Sequence, residues 1–207
     1  MIVGDGGVGS EYCSKKHVSM FNFNSLKETC LLISFASNAF PGEHIPAALD
    51  SFSVELKADG KNYTVSLWDT AGQDDYDNIR WLSYPETDLF FICYSCFSPA
   101  SFHNVKEKWV TELKYRMERP RYILVATKID LRDDPKAIQR LADKRQTPVS
   151  TEQGMALSRE IGASGFFEVS ALTQKGLKEL FNGAVKGAAN EMERQLMPKE
   201  EVCFWIG

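Results

Sequence analysis

Asp69 closes an apolar run, Tyr63-Thr64-Val65-Ser66-Leu67-Trp68, and is followed by Thr70-Ala71-Gly72-Gln73. A carboxylate at a strand end can hold a metal-bound water, and a glycine close behind it can bring its N–H to a terminal phosphate. Near the start, Gly4-Asp5-Gly6-Gly7-Val8-Gly9 is a glycine run whose successive N–H groups can converge on an anion, as in the first part of a GxxxxGK[ST] phosphate loop. Thr127-Lys128-Ile129-Asp130 ends a second apolar run. Its carboxylate is placed to accept two hydrogen bonds from a guanine edge, with the lysine stem lying over the ring. Ser170-Ala171-Leu172 follows a third run, and its backbone can read the guanine oxygen. Singly, each segment also reads as ordinary structure: Asp69 as a strand-end residue, Lys128 with Asp130 as a solvated loop pair. Their joint order and spacing carries the chemical reading.

The elements that must position these segments follow from periodicity. Phe52, Val54 and Leu56 alternate with polar residues, and Asp59-Gly60 turns the chain into the run ending at Trp68, which is a hairpin signal. Leu89 to Cys96 and Tyr122 to Ala126 read as buried strands, and Phe166 to Val169 as another. Helices are expected from Thr29 to about Asn38, from about Ala100 to Met117, from Thr151 to Ile161 and from Lys175 to about Leu196. The charged stretch from Pro135 to Arg145 has weak helical period. Strands alternating with helices predict an α/β fold with a mainly parallel, six-stranded sheet covered on both faces. Ligands of such folds bind at the carboxyl ends of the strands, where all four segments fall.

Composition narrows the class further. At 207 residues, 43% apolar and 25% charged, the chain has the make-up of one globular domain. A net charge of −4 argues against a general attraction to nucleic acid. No apolar run approaches the roughly 20 residues that span a bilayer, and no signal peptide is visible, so a cytoplasmic location is expected. Five cysteines without regular spacing fit a reducing compartment. Cys93 and Cys96 form a CxxC, but on a strand residues three apart point to opposite faces, so packing is the expected role.

Taken together, the chain resembles a small GTPase of the Ras superfamily with a P-loop NTPase-like fold, and within it the Rho/Rac family. The resemblance lies in Asn38-Ala39-Phe40-Pro41-Gly42-Glu43, Trp68 to Tyr76, Leu82-Ser83-Tyr84-Pro85, Ser98-Pro99-Ala100-Ser101-Phe102 and Thr127 to Asp134. The segment at about 135–145 resembles the extra helix of that family. All but residues 10–28 and a tail at 197–207 is covered. The resemblance implies a GTP/GDP switch with slow hydrolysis, as in signal transduction and cytoskeletal regulation. Gly6, Gly7, Val8 and Gly9 would wrap the phosphates, and Thr29 and Asp69 would serve magnesium. Cys30 would lie beside the α-phosphate, Ala71 and Gly72 near the terminal phosphate, and Phe40 edge-on to guanine. Gln73 would orient the attacking water. Thr127, Lys128 and Asp130, with Ser170, Ala171 and Leu172, would read the base. Implied partners are exchange factors, GTPase-activating proteins and effectors at the switch loops.

Three departures from the pattern stand out. Between Gly9 and Thr29 the family has one lysine, whereas here nineteen residues intervene. Neither Ser10 nor Glu28 can neutralise phosphate, and closing so long a loop costs on the order of 2–3 kcal/mol. The stretch reads as a short intron carried into the coding sequence. With Ser10 encoded AGT, Glu11 GAG and Tyr12 opening with T, it begins with the splice donor GTGAGT. With Lys27 AAA and Glu28 GAA, it ends in AG. Excision joins A to AA, a lysine codon, and restores the phosphate loop in frame; a genuine loop insertion is the alternative. Second, Ala47 stands where the family carries a magnesium-ligating threonine. Third, Met1-Ile2-Val3 leaves only a stub of the first strand. At the other end Cys203 is fifth from the end, where the prenylation rule needs the fourth, so lipid anchoring at the cytosolic face of a membrane is not expected as written.

Overall fold

The computed structural model describes residues 2–4, 31, 34–35, 38–40, 51–58, 60–68, 84–85 and 87–196. Six strands appear among them: β1 Ile2–Gly4, β2 Ser51–Ala58, β3 Lys61–Trp68, β4 Phe90–Ser95, β5 Tyr122–Thr127 and β6 Phe166–Glu168. They form two sheets, which corrects the expected single six-stranded one. β1, β4, β5 and β6 lie side by side and wholly parallel, while β2 and β3 pair only with each other, antiparallel. Among the described residues β1 pairs with β4 alone, through Ile2, Val3 and Gly4, so no ladder joins the hairpin to the parallel sheet.

The hairpin itself is as the sequence predicts. Ala58 pairs with Lys61 across the two-residue turn, and Gly60 adopts φ +80° there, a region that L side chains rarely enter.

β4 and β5 are buried throughout and apolar up to their last residues, Ser95 and Thr127, because both faces of the sheet are covered. On one face Tyr94 meets Phe102 edge-on, with ring centroids 5.0 Å apart. Phe102 belongs to α1 (Pro99–Asn104), which runs through a π-helical turn, Val105–Val110, into α2 (Thr111–Arg116). The sequence predicts one helix here, and the wide turn is the refinement. Thr111 Oγ1 donates to the Lys106 carbonyl at 3.0 Å across it, and the turn buries Val105, Trp109 and Val110 together. On the other face Phe91 meets Phe181 at 6.0 Å, and Phe35 stacks on Phe181 at 3.8 Å. Phe181 lies on α5 (Leu177–Leu196), which also lies against β2.

Local signals set the helix ends. Ser98 caps α1 by accepting from the Ser101 N–H, with Pro99 in the first turn. Asp134 caps α3 (Pro135–Ala142) by accepting from the N–H groups of Lys136 and Ala137 at 2.7 and 3.0 Å. α4 (Thr151–Ile161) starts in a capping box between Ser150 and Gln153 and stops at Gly162, φ +77°. Leu31, Ser34 and Phe35 are helical, and Asn38 turns left-handed at φ 53° where the sequence ends that helix. Among the described residues, no helix is long and apolar enough to cross a membrane.

Candidate functional site

The base-reading segments are the described part of the expected site. β5 delivers Thr127 to the carboxyl edge of the sheet, where it is buried and donates through Oγ1 to the Tyr94 carbonyl at 3.1 Å. Lys128 follows in the left-handed region, φ 58° and ψ 36°. A non-glycine residue held there is conformationally costly unless its surroundings fix it. They do. The Cys96 thiol donates to the Lys128 carbonyl at 3.0 Å, and the Cys96 N–H donates to the Thr127 carbonyl at 3.0 Å. The chain then tightens into a 3-10 turn, Ile129–Asp133, with Ile129 buried and Asp130 partly exposed.

The second segment comes from β6. Ser170 is fully buried; its N–H donates to the Lys175 carbonyl at 3.0 Å, and its Oγ accepts from the Thr173 N–H at 3.1 Å. The loop therefore closes on itself. It needs Gln174 at φ 62° and Gly176 at φ +77°, and a Cβ on Gly176 would collide with the Glu168 carbonyl. Ala171 is half-buried and Leu172 is exposed. The Ile129 N–H reaches the Val169 carbonyl at 3.4 Å, so the Asp130 turn and the Ser170 loop are neighbours.

The helix of Leu31 and Ser34 meets the same loop. Ser34 Oγ donates to the Ala171 carbonyl at 3.0 Å, and Gln174 Nε2 donates to the Ser34 carbonyl at 3.4 Å. Phe40 lies at the surface, 44% exposed. Gly6, Gly7, Val8, Gly9, Thr29, Cys30, Ala47, Asp69, Ala71, Gly72 and Gln73 lie outside the described residues. Thus the structure brings together Thr127, Lys128, Asp130, Ser170 and Ala171.

Sequence reading missed several residues that shape the site. Packing is the role that the sequence suggests for Cys96; it is free and buried, and its thiol is also an anchor for Lys128. Burial pushes that thiol up to about 11, so it keeps its proton and remains a donor at neutral pH. Nearby, Tyr94 has a buried hydroxyl with no hydrogen-bond partner among the described residues, and burial raises its pKa as well. Arg132 lies in the segment Thr127 to Asp134, where no local pattern assigns it a role. Glu168, two residues before Ser170, and Thr151, on another helix, carried no local signal.

Parallel strands that end in two adjoining loops, one bearing a carboxylate and one a self-closed backbone turn, give an α/β domain whose strand carboxyl ends are where ligands of such folds bind. The family model of the Ras family matches residues 24–190. The chain belongs to the Ras family, the small GTPases that bind guanine nucleotide, generally hydrolyse GTP and act as molecular switches. The match opens beyond Gly9, so the glycine run lies outside it, while Thr29, the Asp130 turn and the Ser170 loop lie within.

Proposed function

We propose that this chain is a Rho-branch GTP/GDP switch of the cytoplasm whose phosphate end is weakened by residues 10–28 and whose base end is intact. The observation that carries the reading is the fixed left-handed Lys128, which sets Asp130 beside the Ser170 loop. Asp130 would accept from the two donors of the guanine edge. The Ala171 N–H would be the donor that meets the guanine oxygen, while the Ala171 carbonyl accepts from Ser34 Oγ. Once a bound base covers the partly exposed Asp130, a carboxylate deprived of its donors is costly, which is the basis for rejecting adenine.

Thr29 and Asp69 would hold magnesium, which when bound offsets the charge developing on the phosphates. Gln73 would orient the water, Gly6, Gly7, Val8 and Gly9 would wrap the phosphates beside Cys30, and Ala71 and Gly72 would approach the terminal one. Phe40, at the surface, is free to cover the base edge. Helix α3 supports the Rho branch, since it occupies the segment that resembles that family's extra helix. Exchange factors, activating proteins and effectors would act at the switch loops.

The test is to measure bound guanine nucleotide and magnesium in the full chain and in a repaired variant, with residues 10 to 27 removed and Glu28→Lys. The repaired variant should bind GDP at least 10²-fold more tightly, on the order of the loss expected when a phosphate-neutralising charge is absent. If it binds neither GDP nor GTP, the switch reading fails in favour of an interaction module that only keeps the fold. Transcript sequencing addresses the intron: mature messages that all retain the segment make it a true insertion.

A further inference from the structure

A base held between the Asp130 turn and the Ser170 loop needs the two at a fixed separation, yet they come from different strands. The backbone link from Ile129 to Val169 is long, 3.4 Å. Arg132, two residues past Asp130, reaches across with its whole guanidinium. Nε donates to the Val149 carbonyl at 3.1 Å, Nη1 to Thr151 Oγ1 at 3.1 Å, and Nη2 to Glu168 Oε1 at 2.7 Å. Thr151 Oγ1 in turn lies 3.0 Å from both Glu168 oxygens. The side chains of the ion pair are only 21% and 23% exposed, so water and salt screen it less than a surface pair. One side chain thus joins the Asp130 turn, the root of the Ser170 loop and the first residue of α4.

We propose that Arg132 and Glu168 are positioning residues for guanine recognition: their clasp sets the separation of the Asp130 turn and the Ser170 loop, and with it the selectivity of base reading. This rests on the function proposed for those two loops. A planar guanidinium sends N–H groups in three directions at once, whereas an ammonium is a single point of charge at the end of a flexible stem. Lysine at position 132 cannot hold the Val149 carbonyl, Thr151 and Glu168 together in the same way.

The test compares GDP, inosine diphosphate and ADP, by competition with a fluorescent GDP, in the full chain and the repaired variant. Inosine diphosphate lacks the amino group that Asp130 reads. Arg132→Met should lower the GDP to inosine diphosphate affinity ratio about tenfold, and Arg132→Lys should do the same. Arg132→Glu should be as poor, and combining it with Glu168→Arg should recover part of the ratio. A purely structural role would lower both affinities alike and leave the ratio unmoved, and that result overturns the proposal. Glu168→Gln, which keeps the shape, guards against a variant that fails to fold. In the nucleotide-free full chain, amide exchange over residues 127–134 and 168–174 should quicken together in Arg132→Met; exchange that rises in only one segment counts against the clasp. If neither parent protein prefers GDP to ADP, the reading of the site falls and the inference with it. A parent that prefers GDP, with a ratio indifferent to Arg132, sinks the inference alone.

Discussion

The Cys96 thiol donates a hydrogen bond to the main-chain carbonyl of Lys128 at 3.0 Å, tying the end of one strand to the residue that must turn left-handed at the end of the next. Because Lys128 would not hold that conformation unaided, stability there depends on the proton of the thiol. Burial raises the folded-state pKa to about 11 from an ordinary value of 9.0. The folded state thus holds the proton more tightly than the unfolded chain. The associated stability is complete below pH 9 and is lost as pH rises through about 11, on the order of 2 kcal/mol in total. Urea midpoints from pH 8 to pH 11 should fall more steeply for the parent than for Cys96→Ala. Equal slopes would show that the thiol does not contribute.

Asp130→Asn exchanges one of two acceptor oxygens for a donor. Guanine offers two donors to this edge, so GDP affinity should drop about 10²-fold or more. Xanthine carries a carbonyl where guanine carries its amino group, so xanthosine diphosphate should gain relative to GDP. Competition binding in the repaired variant measures both, and an unchanged preference would remove Asp130 from the site.

Gly154→Ala sets two effects against each other. Alanine in a helix is better than glycine by up to about 1 kcal/mol. However, a Cβ at this place in α4 would collide with the Phe166 ring and the Tyr94 hydroxyl, both held in the packed interior around β4 and β6. Overpacking of that kind costs about 1–3 kcal/mol, so net destabilisation is expected, read as a lower denaturant midpoint at unchanged slope. A stabilised variant would mean that the Tyr94 and Phe166 side chains yield readily.

Ala47→Thr, in the repaired variant, would return a hydroxyl to the place where the family ligates magnesium. GTP affinity should rise about tenfold or more relative to GDP, since only the triphosphate state uses that ligand to order the first switch loop. Magnesium-dependent dissociation of fluorescent GTP and GDP distinguishes the two. If both nucleotides respond alike, Ala47 is not at the γ-phosphate.

Much of this was legible in the chain itself, and for stated reasons. Asp59-Gly60 fixed the hairpin, because a two-residue turn between alternating runs leaves one register open. Ser150 with Gln153 and Gly162 bounded α4 to the residue, since caps are local chemistry. Phe90 to Tyr94 and Tyr122 to Ala126 are continuous, largely apolar runs, which fits a parallel sheet covered on both faces. The wide turn at Val105–Val110 was not legible, because it answers to the packing of Trp109 and Val110 rather than to a breaker residue. The split into two sheets was not legible either, because which strands share a ladder is set by tertiary pairing and not by a local pattern.

For the site, sequence alone determined the kind of chemistry. Thr127-Lys128-Ile129-Asp130 and Ser170-Ala171-Leu172 carry the proposal of a guanine-reading edge, because donor and acceptor types at short spacing are properties of the residues themselves. Only the tertiary structure decided how that edge is held. Cys96 and Lys128 are thirty-two positions apart and Arg132 and Glu168 thirty-six, separations at which no periodicity links one residue to another. Those pairs meet because parallel strands bring their carboxyl ends to one edge, where a thiol, a guanidinium and a carboxylate from distant segments find their hydrogen-bond partners.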